Sequence, residues 1–172
     1  MKELLIKLKA CEAAREWAGD KSWPEIFATC HRGDWLLWLF YHTAGDKRLL
    51  TLAKGHCANT VRHLMKDERS VNAVDVAIRY GNGEATQEEL RAASAAAYAA
   101  ASVAAYAAAS VAAYAAADAD AYAAAYAAAY AAADADAATK ENQQITADIC
   151  RKYLPIEVWN ITESGQLITK NQ

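Results

Sequence analysis

The chain has 172 residues, with 18 Lys and Arg against 21 Asp and Glu, for a formal net charge of −3 at pH 7. That length predicts a single domain able to bury its own core without metals or disulfides. The mildly acidic balance supplies no long-range field to draw nucleic acid or anionic lipid, so neither is an expected partner.

The first residues do not read as a signal peptide, because Lys2, Glu3, Lys7 and Lys9 interrupt any apolar stretch. Outside the alanine-rich segment no run is long and apolar enough to cross a bilayer, and that segment carries hydroxyls and aspartates. The expectation is a soluble, cytoplasmic protein. The four cysteines, Cys11, Cys30, Cys57 and Cys150, show no CxxC spacing and fit reduced thiols rather than a disulfide frame.

In chain order, residues 2–18 read as one amphipathic helix, with Leu4, Leu5, Leu8, Cys11 and Ala14 or Arg15 on a stripe that Trp17 closes. Gly19 and Asp20 end it. Ser22 then offers an N-cap, with Pro24 in the first turn and Glu25 at the capping-box position, predicting a short helix that stops near Cys30. Gly33 is read as a turn and Asp34 as the cap of a helix through Trp35 and Trp38, apolar nearly all round and therefore central. Arg32-Gly33-Asp34 is also the tripeptide of integrin-binding loops, but a turn plus N-cap accounts for it without secretion.

From Asp46 a longer helix is predicted through Leu49, Leu50, Ala53, Cys57, Thr60, Val61 and Leu64, with Lys47, Arg48, Lys54 and Arg62 on its polar face. A charged break follows, then a helix from Ser70 using Val71, Val74, Ala77 and Ile78, stopped by Gly81-Asn82-Gly83. That turn lacks the spacing and lysine of a P-loop. Thr86 to Glu89 form a capping box.

Residues 92–138 are about two thirds alanine, and nearly every exception falls on a four-residue beat. Ser94, Tyr98, Ser102, Tyr106, Ser110, Tyr114, Asp118, Tyr122, Tyr126, Tyr130 and Asp134 make up that row, and the octet AAYAAASV occurs twice. Neither glycine nor proline interrupts 86–154, so local propensity favours helix throughout. One unbroken helix there would span on the order of 100 Å, against a diameter near ~40 Å for a compact domain of this size. Four residues also advance a helix by about 400°, so the marked row precesses by about 40° per step. Helices reset near Asp118/Asp120 and Asp134/Asp136 would keep the tyrosines inward, where they would carry the packing energy. After that tract, Ile145, Ile149, Tyr153 and Leu154 continue a helix that Pro155 ends, followed by one turn and a small hairpin at Ser164-Gly165.

Chemistry is sparsely signalled. Cys30-His31 and His56-Cys57 carry zinc-type ligands, but neighbours on a helix diverge by about 100°, so neither pair chelates alone. A Cys-His nucleophile would lack an orienting group and an oxyanion loop. Asp118/Asp120 and Asp134/Asp136 read as caps or solvated surface before a cation site. No cofactor fingerprint is present. The tryptophans and tyrosines read as core before ligand box, with a tyrosine-lined groove that stacks a ring as the minority reading.

Several stretches together resemble a bacterial and phage family of immunity proteins, the immunity protein five-like type. They are Ala10-Cys11-Glu12-Ala13-Ala14, Glu16-Trp17-Ala18, Trp23, and Cys30-His31-Arg32-Gly33-Asp34-Trp35-Leu36-Leu37-Trp38-Leu39. The alanine-rich tract and the run from Ala147 through Cys150 and Arg151 to Pro155 complete the likeness. The resemblance implies an all-helical protein that neutralises something by binding, and it brings no catalytic residues. The eight-residue repeat and the tail after Pro155 depart from the family's pattern.

The combined expectation is one all-α domain, a compact multi-helix bundle. Residues 1–85 supply amphipathic helices, 86–154 closely packed Ala/Tyr-rich helices, and 155–172 a small irregular tail. It would act as a non-enzymatic binding protein that sequesters or blocks a toxin or defence component, either a protein or a small signalling nucleotide. A self-assembling scaffold is the other class, and a homo-oligomer stays open. The ligand-binding candidates are Tyr98, Tyr106, Tyr114, Tyr122, Tyr126, Tyr130, Asp118 and Asp134 with Arg32 and Arg91. Structural roles fall to Trp17, Gly33, Asp34, Trp35, Trp38, Thr86 and Glu89.

Overall fold

The computed structural model describes residues 1–43, 46–65, 67–103 and 136–168. Helices α1 (Lys2–Lys7) and α2 (Glu12–Ala18) stand where the spacing predicts one. Lys9 adopts φ 60°, and the Ala10 N–H donates to the Leu5 carbonyl at 2.9 Å, a Schellman-type stop. The break buries Ala10 and turns Cys11 to solvent, where a continuous helix would place Cys11 in the apolar stripe.

Helix α3 (Trp23–Thr29) opens on the expected capping box. The Ser22 N–H donates to Glu25 Oε2 at 2.7 Å, and the Glu25 N–H donates to Ser22 Oγ at 3.4 Å. Helix α4 (Gly33–Thr43) corrects two expectations. Gly33 is not a turn but the first helical residue, and Asp34 lies inside the first turn rather than capping it. Its carboxylate is occupied by Arg32 instead, which donates from Nε to Oδ1 at 2.7 Å and from Nη2 to Oδ2 at 2.5 Å.

Helix α5 (Lys47–Asn59) is capped by Asp46, whose carboxylate accepts the N–H groups of Arg48 and Leu49 at 3.0 Å each. It stops short of the predicted Leu64; a separate 3-10 turn covers Arg62–Leu64. Lys54, expected on a polar face, is buried, because α5 has neighbours on both sides. Helix α6 (Glu68–Gly81) starts two residues before the predicted Ser70, capped by Asp67. Helix α7 (Gln87–Val103) begins at the predicted box, with Thr86 N–H on Glu89 Oε2 at 2.6 Å and Glu89 N–H on Thr86 Oγ1 at 3.1 Å. Helix α8 (Asp136–Tyr153) ends before Pro155, and a 3-10 turn at Ile156–Val158 leads to an antiparallel bridge between Ile161 and Leu167. Gly165 takes φ 82° in that turn, as the hairpin expectation requires.

Helices α4 to α7 pack in sequence order, and α8 returns to lie against both α4 and α5. Glycines allow close approach at two of these contacts. A Cβ on Gly33 would sit 2.5 Å from Thr146 Oγ1 and 2.6 Å from the Thr146 carbonyl carbon, and one on Gly81 would sit 2.4 Å from Leu52 Cβ. Gly81 therefore serves the α5–α6 contact as well as ending α6. The main core joins Leu36, Leu37 and Phe40 of α4 to Cys57 of α5 and to Ala147, Cys150 and Leu154 at the end of α8. Each large aliphatic or aromatic side chain buried there contributes about 1.5–3 kcal/mol. The tail is irregular, as expected, but anchored: Trp159 is 3% exposed and its ring lies 4.8 Å from Trp23 and 4.9 Å from Phe40. Its indole N–H donates to the Leu154 carbonyl at 2.9 Å.

The alanine-rich segment packs differently from the prediction where it is described. Leu90, Ala93 and Ala97 meet Ala73, Val76, Ala77 and Tyr80 of α6, while Tyr98 is 55% exposed. The small residues face inward here because α6 presents small residues too, and two alanine surfaces approach closely where a tyrosine would hold them apart. Both α7 and α8 dock on the α4–α6 row, whereas one straight helix would separate Ala97 from Thr146 by about 70 Å. Helices α7 and α8 are therefore not parts of one straight rod. The predicted resets at Asp118/Asp120 and Asp134 lie outside the described residues.

Two outcomes follow from this packing. Gly33→Ala must displace the α8 backbone, so it should destabilise the fold by about 1–3 kcal/mol. A thermal melt would show this as a loss of about 2–4 °C per kcal/mol. His56 stacks on Tyr153 at 4.0 Å, and burial, with the Lys152 ammonium beside it, holds the imidazole below its ordinary 6.5. The unfolded chain then takes up that proton first, so the contribution is full above about pH 6.5 and is lost as pH falls through that value. Between about pH 7.5 and about pH 5.5, wild type should lose more melting temperature than His56→Phe, which keeps an aromatic stack and cannot titrate.

Candidate functional site

Helices α2 and α4 diverge over a floor made by Leu5, Ile26, Leu36 and Leu39, leaving a cleft of about 90 Å³. Ala14, Trp17 and Ala18 form the α2 wall, Trp35 and Trp38 the α4 wall, and Ala10, Cys11 and Cys30 complete the lining. The arrangement depends on the α1–α2 break, since that break moves Cys11 to the mouth of the cleft.

At the rim stands an aromatic cluster. The Trp17 and Trp35 rings are 5.9 Å apart, and His31 lies 5.9 Å from Trp17 in an edge-on geometry and 6.2 Å from Trp35. Two cations cover its outer faces. Lys21 Nζ sits 4.6 Å over Trp17, and the Arg32 guanidinium 4.8 Å over Trp35. Asp34, 4% exposed, holds Arg32 in place and by its hydrogen bonds keeps the guanidinium charged beyond its ordinary range. The site thus pairs an apolar interior with a rim of flat rings, one covered by Lys21 and one by an arginine whose charge Asp34 balances.

The Cys-His pairs do not assemble into reaction centres. Burial pushes the Cys30 thiol up to about 11, so it carries no thiolate near neutral pH, and it donates to the Arg32 carbonyl at 3.4 Å. Its neighbour His31 is at the rim among the tryptophans. Cys57 is buried and donates to the Thr146 carbonyl at 3.8 Å, while His56 stacks outward on Tyr153. Among the described residues no three His, Cys, Asp or Glu side chains are placed to hold a metal ion. No helix among them is long and apolar enough to cross a membrane.

The predicted ligand set is not brought together. Tyr106, Tyr114, Tyr122, Tyr126, Tyr130, Asp118 and Asp134 lie outside the described residues. Tyr98 and Arg91 are exposed on α7, and Arg91 faces a groove with Lys47 of α5, away from Arg32 at the start of α4. Trp17, Trp35 and Trp38, assigned structural roles from sequence, are only half-buried and line the cleft; the fully buried tryptophan beside them is Trp23. Lys21, His31 and Cys11 had no place in the predicted site. In sequence Cys11 reads as part of an apolar stripe and His31 as half of a Cys-His pair, and Lys21 carries no signal beyond its place between Trp17 and Trp23.

Comparison with protein-family models, with curated proteins and with solved structures finds no match for this chain.

Cys11 offers a direct check on the cleft, because it is exposed while Cys30, Cys57 and Cys150 are buried and all four are free. Native protein treated with a maleimide should gain a single adduct by intact mass, at Cys11, and all four thiols should react once the chain is denatured. Rapid labelling of Cys30 in the native state would mean that the floor of the cleft is open.

Proposed function

We propose that this chain is a non-catalytic binding protein whose tryptophan-lined cleft takes an apolar side chain of a partner protein. The partner in this reading is a component of a bacterial toxin or defence system, which binding neutralises. The cleft carries the proposal: its interior is apolar, its rim presents half-buried indole rings, and aromatic anchors of this kind dominate protein–protein recognition. Its size favours a protein anchor over a nucleotide. About 90 Å³ suits one side chain, whereas sites that enclose a drug-sized ligand run to roughly 300–1,000 Å³.

The neutralising role rests on the resemblance to immunity proteins, and the two arguments meet on the same residues. Apart from Leu5 and Ile26, the residues that line the cleft fall within the stretches on which that resemblance depends. The protonated Cys30 thiol and the separated Cys-His pairs support binding in place of catalysis.

Expressed alongside toxin and defence genes of its own genome, the chain should restore growth against one of them. Ala14→Trp fills the cleft from α2 and Trp35→Ala removes one of the two indoles of its α4 wall; each should abolish rescue while the purified variant still melts cooperatively. Rescue that survives both variants would move the binding site elsewhere. No rescue across the set would remove the neutralising role.

A further inference from the structure

The tryptophan cleft also restricts which side chain a partner can place in it. Its lining side chains are alanine, leucine, isoleucine, tryptophan and cysteine, with no carboxylate, amide or hydroxyl among them. An incoming hydroxyl, amide or charged group would lose its water there without gaining a partner. The Cys30 thiol is committed to the Arg32 carbonyl, and both oxygens of Asp34 at the rim are committed to Arg32. Lys21 and Arg32 already lie over Trp17 and Trp35, so the ring charge that would attract a further cation is engaged. The electrostatic complement of the cleft is a neutral side chain.

Shape narrows the choice again. The cleft holds about 90 Å³, whereas a cavity that takes up a benzene ring holds about 150 Å³. A flat ring cannot slide between Trp17 and Trp35 either. Their centroids are 5.9 Å apart with the planes tilted by 54°, and a third ring in contact with both would need roughly 7 Å. The floor does not yield, because Leu5, Ile26, Leu36 and Leu39 are all buried in the main core. What fits is a compact aliphatic chain, or a thioether whose sulfur is drawn to the ring edges.

We infer that the cleft is specific for one aliphatic anchor, a Leu, Ile or Met side chain of the partner protein, and that it rejects aromatic and cationic anchors. Ile26, which reaches the floor from α3, sets the size limit. This specificity rests on the docking reading proposed above.

The test is selection of a random-peptide library on the immobilised full chain, with Ala14→Trp and Trp35→Ala as counter-targets. Peptides held by wild type and released by both variants should share a Leu, Ile or Met at one fixed position. Replacing that residue by Ala should weaken binding by about thirtyfold, the loss of a hot-spot side chain. Selection on Ile26→Ala, which deepens the floor, should admit Phe at the same position. Melting curves of the three variants separate an altered cleft from a lost fold. A shared Phe, Tyr, Trp, Lys or Arg on wild type overturns the specificity and leaves the cleft as a docking site. No binders, or binders held equally by wild type and the counter-targets, remove the docking site and the specificity with it. Wild type that self-associates in sedimentation while Ala14→Trp stays monomeric puts a second copy in the cleft and overturns a foreign partner.

Discussion

At the crossing of α4 and α8 there is no room for a side chain on Gly33: the space a Cβ would need is filled by Thr146, including its backbone. This contact joins residues more than a hundred positions apart, and the surrounding bonds depend on it. The Cys150 thiol donates to the Gly33 carbonyl at 3.6 Å, and the Cys57 thiol donates to the Thr146 carbonyl at 3.8 Å. One turn further along, Arg151 donates to the carbonyls of Phe27 and Cys30 at 3.1 and 2.8 Å, satisfying the carboxyl end of α3 with a positive charge. The α3–α4 corner is thus pinned from below by α8. That corner carries Arg32, Asp34 and Trp35, so the rim of the tryptophan cleft inherits its geometry from a helix that does not line it.

The aromatic residues divide into two populations with different work. Trp23, Phe27, Phe40 and Trp159 pack ring against ring in or beside the core and tie the tail to the body of the fold. Trp17, Trp35 and Trp38 keep part of their surface open, and Lys21 and the Asp34-paired Arg32 each lie over one of those rings. A cation over an indole contributes about 0.5–1 kcal/mol at an exposed site, enough to orient the rings but too little to cover them. The α6–α7 seam is different again. Alanine methyls each bury little, on the order of 0.8 kcal/mol per carbon, so α7 is held by close approach over several turns, with Leu90, Val76 and Tyr80 as its larger contacts.

Much of the fold was legible because its signals are local. Ser22 with Glu25, Asp46, and Thr86 with Glu89 each mark a helix start, because a cap works through the backbone of its own first turn. Pro155 and Gly165 mark stops and turns for the same reason. The α1–α2 break was not legible, since Lys9 occupies a left-handed position where glycine would have announced it. The cleft was legible only as a density of tryptophans. Nothing in the spacing of Trp17, Trp35 and Trp38 tells that they are half-open while Trp23 is closed.

Sequence by itself determined an all-α chain, most helix boundaries and the need for the 86–154 segment to turn back, all consequences of hydrogen bonding and helical pitch within a few residues. Which face of each helix is inside was decided by the tertiary structure, because that depends on what the neighbour presents. Helix α6 presents Ala73, Val76 and Ala77, so α7 answers with Ala93 and Ala97 and leaves Tyr98 in solvent. Likewise Asp34 was free to cap α4 until Arg32 was folded against it, and Gly33 became a helix contact only once Thr146 arrived from the far end of the chain.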